Sequence, residues 1–202
     1  TITPDETGKR YKTAGHASLT NGYFTGGRYK PSWSPPTGLY SQAGALKMPF
    51  ASPVAVSSLP TVIQPTSGRE SHAGGQSELA AYVSGGHYQP PYGVTVTNFI
   101  SKFPFAAEAD ENLVGNLAPD VPAASGCAGQ SGAGYGYTSG GSSNTNTPGN
   151  INFINKFPFA VDENASNVGD LSQLRNAMSG QSSASDGYCS GGQGVPSYAD
   201  TI

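Results

Sequence analysis

A run of nine residues occurs twice in this chain with one difference. Asn98-Phe99-Ile100-Ser101-Lys102-Phe103-Pro104-Phe105-Ala106 returns as Asn152-Phe153-Ile154-Asn155-Lys156-Phe157-Pro158-Phe159-Ala160. A shorter copy reads Ala45-Leu46-Lys47-Met48-Pro49-Phe50-Ala51. A second element recurs as Gly22-Tyr23-Phe24-Thr25-Gly26-Gly27, Ala81-Tyr82-Val83-Ser84-Gly85-Gly86, Gly136-Tyr137-Thr138-Ser139-Gly140-Gly141 and Gly187-Tyr188-Cys189-Ser190-Gly191-Gly192. Val114-Gly115-Asn116-Leu117 and Val168-Gly169-Asp170-Leu171 each begin ten residues after their Pro, and Gly-Gln-Ser recurs at residues 75–77, 129–131 and 180–182. Chance does not give four elements in one order at matched offsets, so the chain folds as repeated units that pack on one another.

Each repeat reads as three or four short strands. Asn-Phe-Ile-x-Lys-Phe alternates and is rich in β-formers, and its Pro marks a strand end or an edge. The glycine pairs permit positive φ and close backbone approach. Gly and Pro make up about 22% of the 202 residues against a usual share of roughly 12%, and they interrupt every stretch long enough for an amphipathic helix. Eleven Tyr and eight Phe supply the burial that a low aliphatic content does not. The expectation is an all-β fold, a β-propeller-like array of about four blades of short antiparallel strands, since a period near 50 with a double glycine suits a propeller blade better than a β-solenoid coil.

The chain reads as a single repeat domain over 1–202. Residues 1–27 align without gaps onto 166–192, and the tail aligns with the start of a further repeat. The expected division is 1–27 as the C-terminal half of a blade split between the termini, 28–86 as a degenerate blade, 87–141 and 142–192 as blades, and 193–202 as a closing or donor strand. Such a tail would complete the first half-blade of its own chain, or that of a neighbouring subunit by β-augmentation; alternatively the chain is a segment of a larger propeller. The sequence opens Thr1-Ile2-Thr3-Pro4 without an apolar leader, so a leader was removed or the start is missing.

The pattern Phe-Ile-x-Lys-Phe-Pro-Phe-Ala … Val-Gly-Asp-Leu … Gly-Gln-Ser-Ser … Gly-Tyr-x-Ser-Gly-Gly resembles the Kelch-like repeats of structural proteins from tailed phages and large aquatic viruses, and of related microbial proteins. The resemblance is good over residues 94–192 and degraded over 28–86. It implies a propeller displayed on a particle or filament and carries no catalytic residues; fold alone does not dictate function.

The structural set is Phe50, Phe105 and Phe159 between blades, with the pairs Gly26/Gly27, Gly85/Gly86, Gly140/Gly141 and Gly191/Gly192 at the turns. Tyr29, Trp33, Tyr40, Tyr88 and Tyr92 gather in Pro-rich connections and are candidates to stack on sugar rings, or to cover the degenerate blade. His16, His72 and His87 fall at different repeat phases without metal-ligand spacing and read as solvated. The acidic clusters around Asp110 and Asp162 are weak calcium candidates; otherwise they are charged turns. Arg10 and Arg175 follow Asp5 and Asp170 by five positions, which suggests an ion pair inside each blade. Lys47, Lys102 and Lys156 should lie along the apolar segment with their heads in water. Cys127 and Cys189 read as free.

A net charge of -3 with 11% charged residues gives no basic surface for nucleic acid, and no apolar run is long enough for a membrane span. No cofactor is implied. Few lysines and much Ser, Thr, Asn and Gly suit an extracellular or virion location. The expected function is a non-enzymatic structural or adhesive module on a phage or viral particle or in a filament. Its expected partners are itself, other virion or filament proteins, and cell-surface glycans. The alternatives are an extracellular glycan-active enzyme (lyase or hydrolase) on a propeller scaffold, and an intracellular protein-binding propeller.

Overall fold

The computed structural model describes residues 10–29, 40–41, 44–52, 56–59, 68–88, 95–120, 122–143 and 149–194. They form an all-β chain of small antiparallel sheets. Unit one is a four-stranded sheet of Ala14–Ala17, Asn21–Thr25, Ala45–Pro49 and Ser57–Ser58, paired in that order. Unit two repeats it with Ala73–Gln76, Ala80–Ser84, Phe99–Pro104 and Asn112–Asn116. Unit three uses Ala128–Ser131, Tyr135–Ser142, Asn150–Pro158 and Ser166–Asp170. Unit four is a hairpin of Ser179–Ser182 and Gly187–Ser190. Short two-residue ladders flank the sheets, among them Arg28–Tyr29 between Arg10–Tyr11 and Tyr40–Ser41, and Arg175–Asn176 with Gln193–Gly194.

The register is the same in each sheet. The Lys of the third strand lies opposite the Tyr of the second: Tyr23 with Lys47, Tyr82 with Lys102, Tyr137 with Lys156. The sheets do not divide where the glycine pairs stand. Units one and two each take two strands from before their pair and two from after it, and in unit three the second strand, Tyr135–Ser142, runs through the pair. Residues 14–25, expected as half a blade awaiting the tail, are instead completed by 45–49 and 57–58. The unit with only two strands among the described residues is the last. Within the expected closing strand, 193–194 pair with 175–176, and 195–202 lie outside the described residues.

Successive units lie face to face in chain order, held by an inner polar layer and an outer aromatic one. The first strands approach so closely that a Cβ at Gly129 would sit 2.2 Å from the Gly74 carbonyl oxygen, so only glycine fits there. At one repeat phase the backbone N–H of each unit donates to a side chain of the next: Ala17 to Gln76 Oε1 at 2.5 Å, Gln76 to Ser131 Oγ at 2.7 Å, and Ser131 to Ser182 Oγ at 2.8 Å.

A ladder of left-handed residues runs beside them. Lys12, Ser71, Gly126 and Ala177, each fourteen residues before a glycine pair, have φ of 61°, 55°, 69° and 53°. Ser71 N–H donates to Lys12 O, Gly126 N–H to Ser71 O, and Ala177 N–H to Gly126 O. All eight residues of the glycine pairs also take positive φ. A Cβ at Gly140 would lie 2.8 Å from the Arg175 carbonyl of the next unit.

The outer layer is aromatic. Tyr23 of unit one stacks on Phe105 of unit two at 5.0 Å between ring centroids and meets Phe103 edge-on at 5.5 Å. Tyr82 of unit two repeats this with Phe159 at 4.6 Å and Phe157 at 5.7 Å. Phe105 and Phe159 thus each lie against the Tyr of the preceding unit. Phe50 occupies the same place in unit one, but no described unit precedes it, and it is 49% exposed.

Candidate functional site

The chemically distinctive residues gather at the faces between units, and the interface of units one and two is the most polar. The Thr25 hydroxyl lies between two buried imidazoles, 2.9 Å from His16 Nε2 and 3.2 Å from His72 Nε2. His16 Nδ1 lies 3.1 Å from the Gly75 carbonyl, which can only accept, so that nitrogen carries the proton and Nε2 accepts from Thr25. Burial holds His16 neutral, down to about 4, against the opposing hydrogen bond to Gly75. Burial first, then the charge of Arg69, holds His72 well below the usual imidazole range. These histidines were expected in solvent; the structure places both at about 5% exposure between sheets.

Beside them Glu70, fully buried, meets Arg28 Nη2 at 2.6 Å and His87 Nε2 at 3.3 Å. Burial alone would raise its carboxyl; hydrogen bonds from His87 and Arg28 bring it below the usual value. Arg69, also fully buried, donates to the Val83 carbonyl at 3.0 Å and to Ser101 Oγ at 2.9 Å.

Arg69 stands at the repeat phase of Arg10 and Arg175, and sequence reasoning passed over it. The expected Arg–Asp pair takes another form: Arg175 donates to Gln173 Oε1 at 2.9 Å and to the Gly191 carbonyl at 3.4 Å, while Asp170 is exposed. Asp5 lies outside the described residues. The lysines, expected with their heads in water, bridge units instead. Lys47 reaches Glu108 at 2.5 Å and Lys102 reaches Asp162 at 3.5 Å, each contacting the acidic turn of the following unit. Lys156 has no such turn beyond it among the described residues and lies 3.8 Å from the Tyr135 ring centroid.

Asp162 is thus an ion-pair partner, and Asp110 is exposed. Among the described residues no group of three or more His, Cys, Asp or Glu is placed to hold a metal ion. Both cysteines are free. Burial pushes the Cys127 thiol up to about 12 and raises Cys189 too.

The aromatic glycan candidates are only partly visible. Tyr88 is half-buried, its backbone paired with Thr95; Tyr29 and Tyr40 pair backbone to backbone; Trp33 and Tyr92 lie outside the described residues. Clefts are lined by the described residues between and along the units. One of about 330 Å³ lies between units three and four. One of about 470 Å³ follows the left-handed ladder past His72 and Cys127. One of about 840 Å³ runs along the hairpin tips beside Leu19 and Leu79, which are 95% and 79% exposed.

Among the described residues the series is open at both ends. A Cβ at Gly15 would meet nothing within 4 Å, whereas at Gly74, Gly129 and Gly180 it would strike the preceding unit. At the other end Tyr188 is 45% exposed, while Tyr23 and Tyr82 at its repeat phase are buried by the unit that follows them. Among the described residues no helix is long and apolar enough to cross a membrane. No protein-family model and no curated protein matches this chain.

Proposed function

We propose that the chain is a non-enzymatic structural or adhesive module of an extracellular or virion assembly, joined to itself or to other particle or filament proteins through its open faces. The observation that carries this reading is the mismatch between its ends. The face presenting Gly15 and Phe50 and the face presenting Tyr188 are the two halves of the interface made twice inside the chain, at Tyr23 with Phe105 and at Tyr82 with Phe159. Two unlike, complementary faces give head-to-tail association, which closes as a ring or grows as a filament. Its propeller-like rotation and its display on a phage or viral particle belong to this proposal, as do surface glycans as a further partner.

Sedimentation and electron microscopy of the purified chain test it. The expected result is rings or filaments at micromolar concentration, lost on Phe50→Asp. Monomers at every concentration, together with bond cleavage in an extracellular polysaccharide, would replace this reading with the glycan-active enzyme.

A further inference from the structure

The cleft between units three and four stands where the other interfaces hold two phenylalanines. In unit two, Ile100 and Leu117 are covered completely, and they pack with Tyr82 around Phe157 of the following unit. Their counterparts one unit on, Ile154 and Leu171, are only half-buried, and with Tyr137 they line an unfilled cleft of about 330 Å³. Gly187 and Cys189 form its far side. The second strand of unit four has no third strand beside it among the described residues, and none of them pairs with the backbone edge of Gly187–Ser190 on that side. Gly187 repeats Gly136, where a Cβ would lie 2.3 Å from the Phe157 ring of the neighbouring strand; at Gly187 a Cβ would meet the Gln130 side chain of unit three, 3.1 Å from its Cγ.

We infer that this cleft is a binding site for an extended Lys-Phe-Pro-Phe segment supplied from outside residues 1–202. The segment adds as an antiparallel third strand to Gly187–Ser190. The register follows from the other sheets, where Lys102 faces Tyr82 and Phe103 faces Ala81, and where Lys156 faces Tyr137 and Phe157 faces Gly136. The incoming Lys therefore lies opposite Tyr188, its first Phe opposite Gly187 and its Pro opposite Asp186. The two rings enter the cleft against Tyr137, as Phe157 and Phe159 meet Tyr82. Backbone pairing supplies affinity and the ring pockets supply selectivity. The three copies of the segment in this sequence, at 47–50, 102–105 and 156–159, are each engaged in their own sheets, so the occupant comes from elsewhere.

The inference rests on the assembly reading but can fail separately from it. The probe is a synthetic peptide with the sequence of residues 150–160, added to the 202-residue chain and followed by calorimetry and amide exchange. The expected result is saturable binding that slows exchange across Gly187–Ser190. Binding should be lost when both peptide Phe are Ala, and weakened roughly two- to tenfold or more by Tyr137→Ala. Gly187→Val, checked for native circular dichroism, should block the peptide where Tyr137→Ala proves unstable. Phe50→Asp, far from the cleft in unit one, should leave peptide binding unchanged while weakening association between copies. No protection at 187–190, equal binding of the Phe-free peptide, or binding only after removal of residues 195–202 would overturn the inference. Filaments without peptide binding would leave the assembly reading standing; peptide binding by a strict monomer would do the reverse.

Discussion

Two interfaces in this molecule share a backbone and differ in what fills it. Between units one and two, Glu70 is held by Arg28 and His87, and Thr25 by two histidines. Between units two and three, Ser125 stands in the place of Glu70 and exchanges backbone hydrogen bonds with Ser142 at 2.9 and 2.7 Å. There Ser84 meets Thr138 at 2.5 Å, and Cys127 replaces His72 in an apolar cluster with Ala73, Ala118, Ala124 and Ile151. The left-handed ladder and the aromatic clasp are common to both. Buried charge is thus not what makes units stack: the hydrogen-bonded turns and the rings do that, and the inner residues vary around them.

The contrast has a measurable size. Glu70→Ala leaves Arg28 and His87 facing an empty buried site and should cost about 3–5 kcal/mol, near the lower end because Arg28 keeps some access to water. Ser125→Ala keeps the backbone bonds and should cost about 1 kcal/mol or less in urea unfolding. Equal losses at the two positions would erase the distinction.

The next effect is on pH. His16 is neutral when folded and titrates near the ordinary value of about 6.5 when unfolded, so the unfolded chain binds the extra proton between pH 6.5 and 4. Stability is complete above that window and falls with acidification by about 1.4 kcal/mol per unit, or about 2 kcal/mol at pH 5; His72 acts in the same direction. His16→Gln, which installs the residue found at that phase in Gln130 and Gln181, should flatten the His16 part of the slope. An unchanged slope would remove His16 from the account.

The smallest effect concerns the shared ladder. Ala177 is exposed and holds φ of 53°, a region costly to any residue with a Cβ. Ala177→Gly should therefore raise stability by up to about 1 kcal/mol, despite the greater freedom glycine gives the unfolded chain. A loss would show that the Ala177 methyl group packs usefully.

Much of the fold was legible in the residues. The recurring Asn-Phe-Ile-x-Lys-Phe-Pro became the third strand of two sheets, the glycine pairs took positive φ, and Phe105 and Phe159 lie between units. The left-handed ladder was not legible, because three of its four members are Lys, Ser and Ala, which carry no local signal for that conformation. Nor were the lysine–carboxylate bridges: Lys47 and Glu108 are 61 positions apart in adjacent units, and alignment within one repeat cannot pair them. His16 and His72 read as solvated because each phase alone looks like a polar strand position; only stacking encloses them.

By itself the sequence determined the period, the strand-forming segments and the points where the backbone must bend, since these follow from local sterics and side-chain alternation. Where one sheet ends and the next begins was decided by tertiary structure, because a strand pairs with whichever edge the turn geometry brings beside it. Stacking also decided which polar groups are buried: desolvation depends on the neighbouring sheet, and no single repeat contains its neighbour.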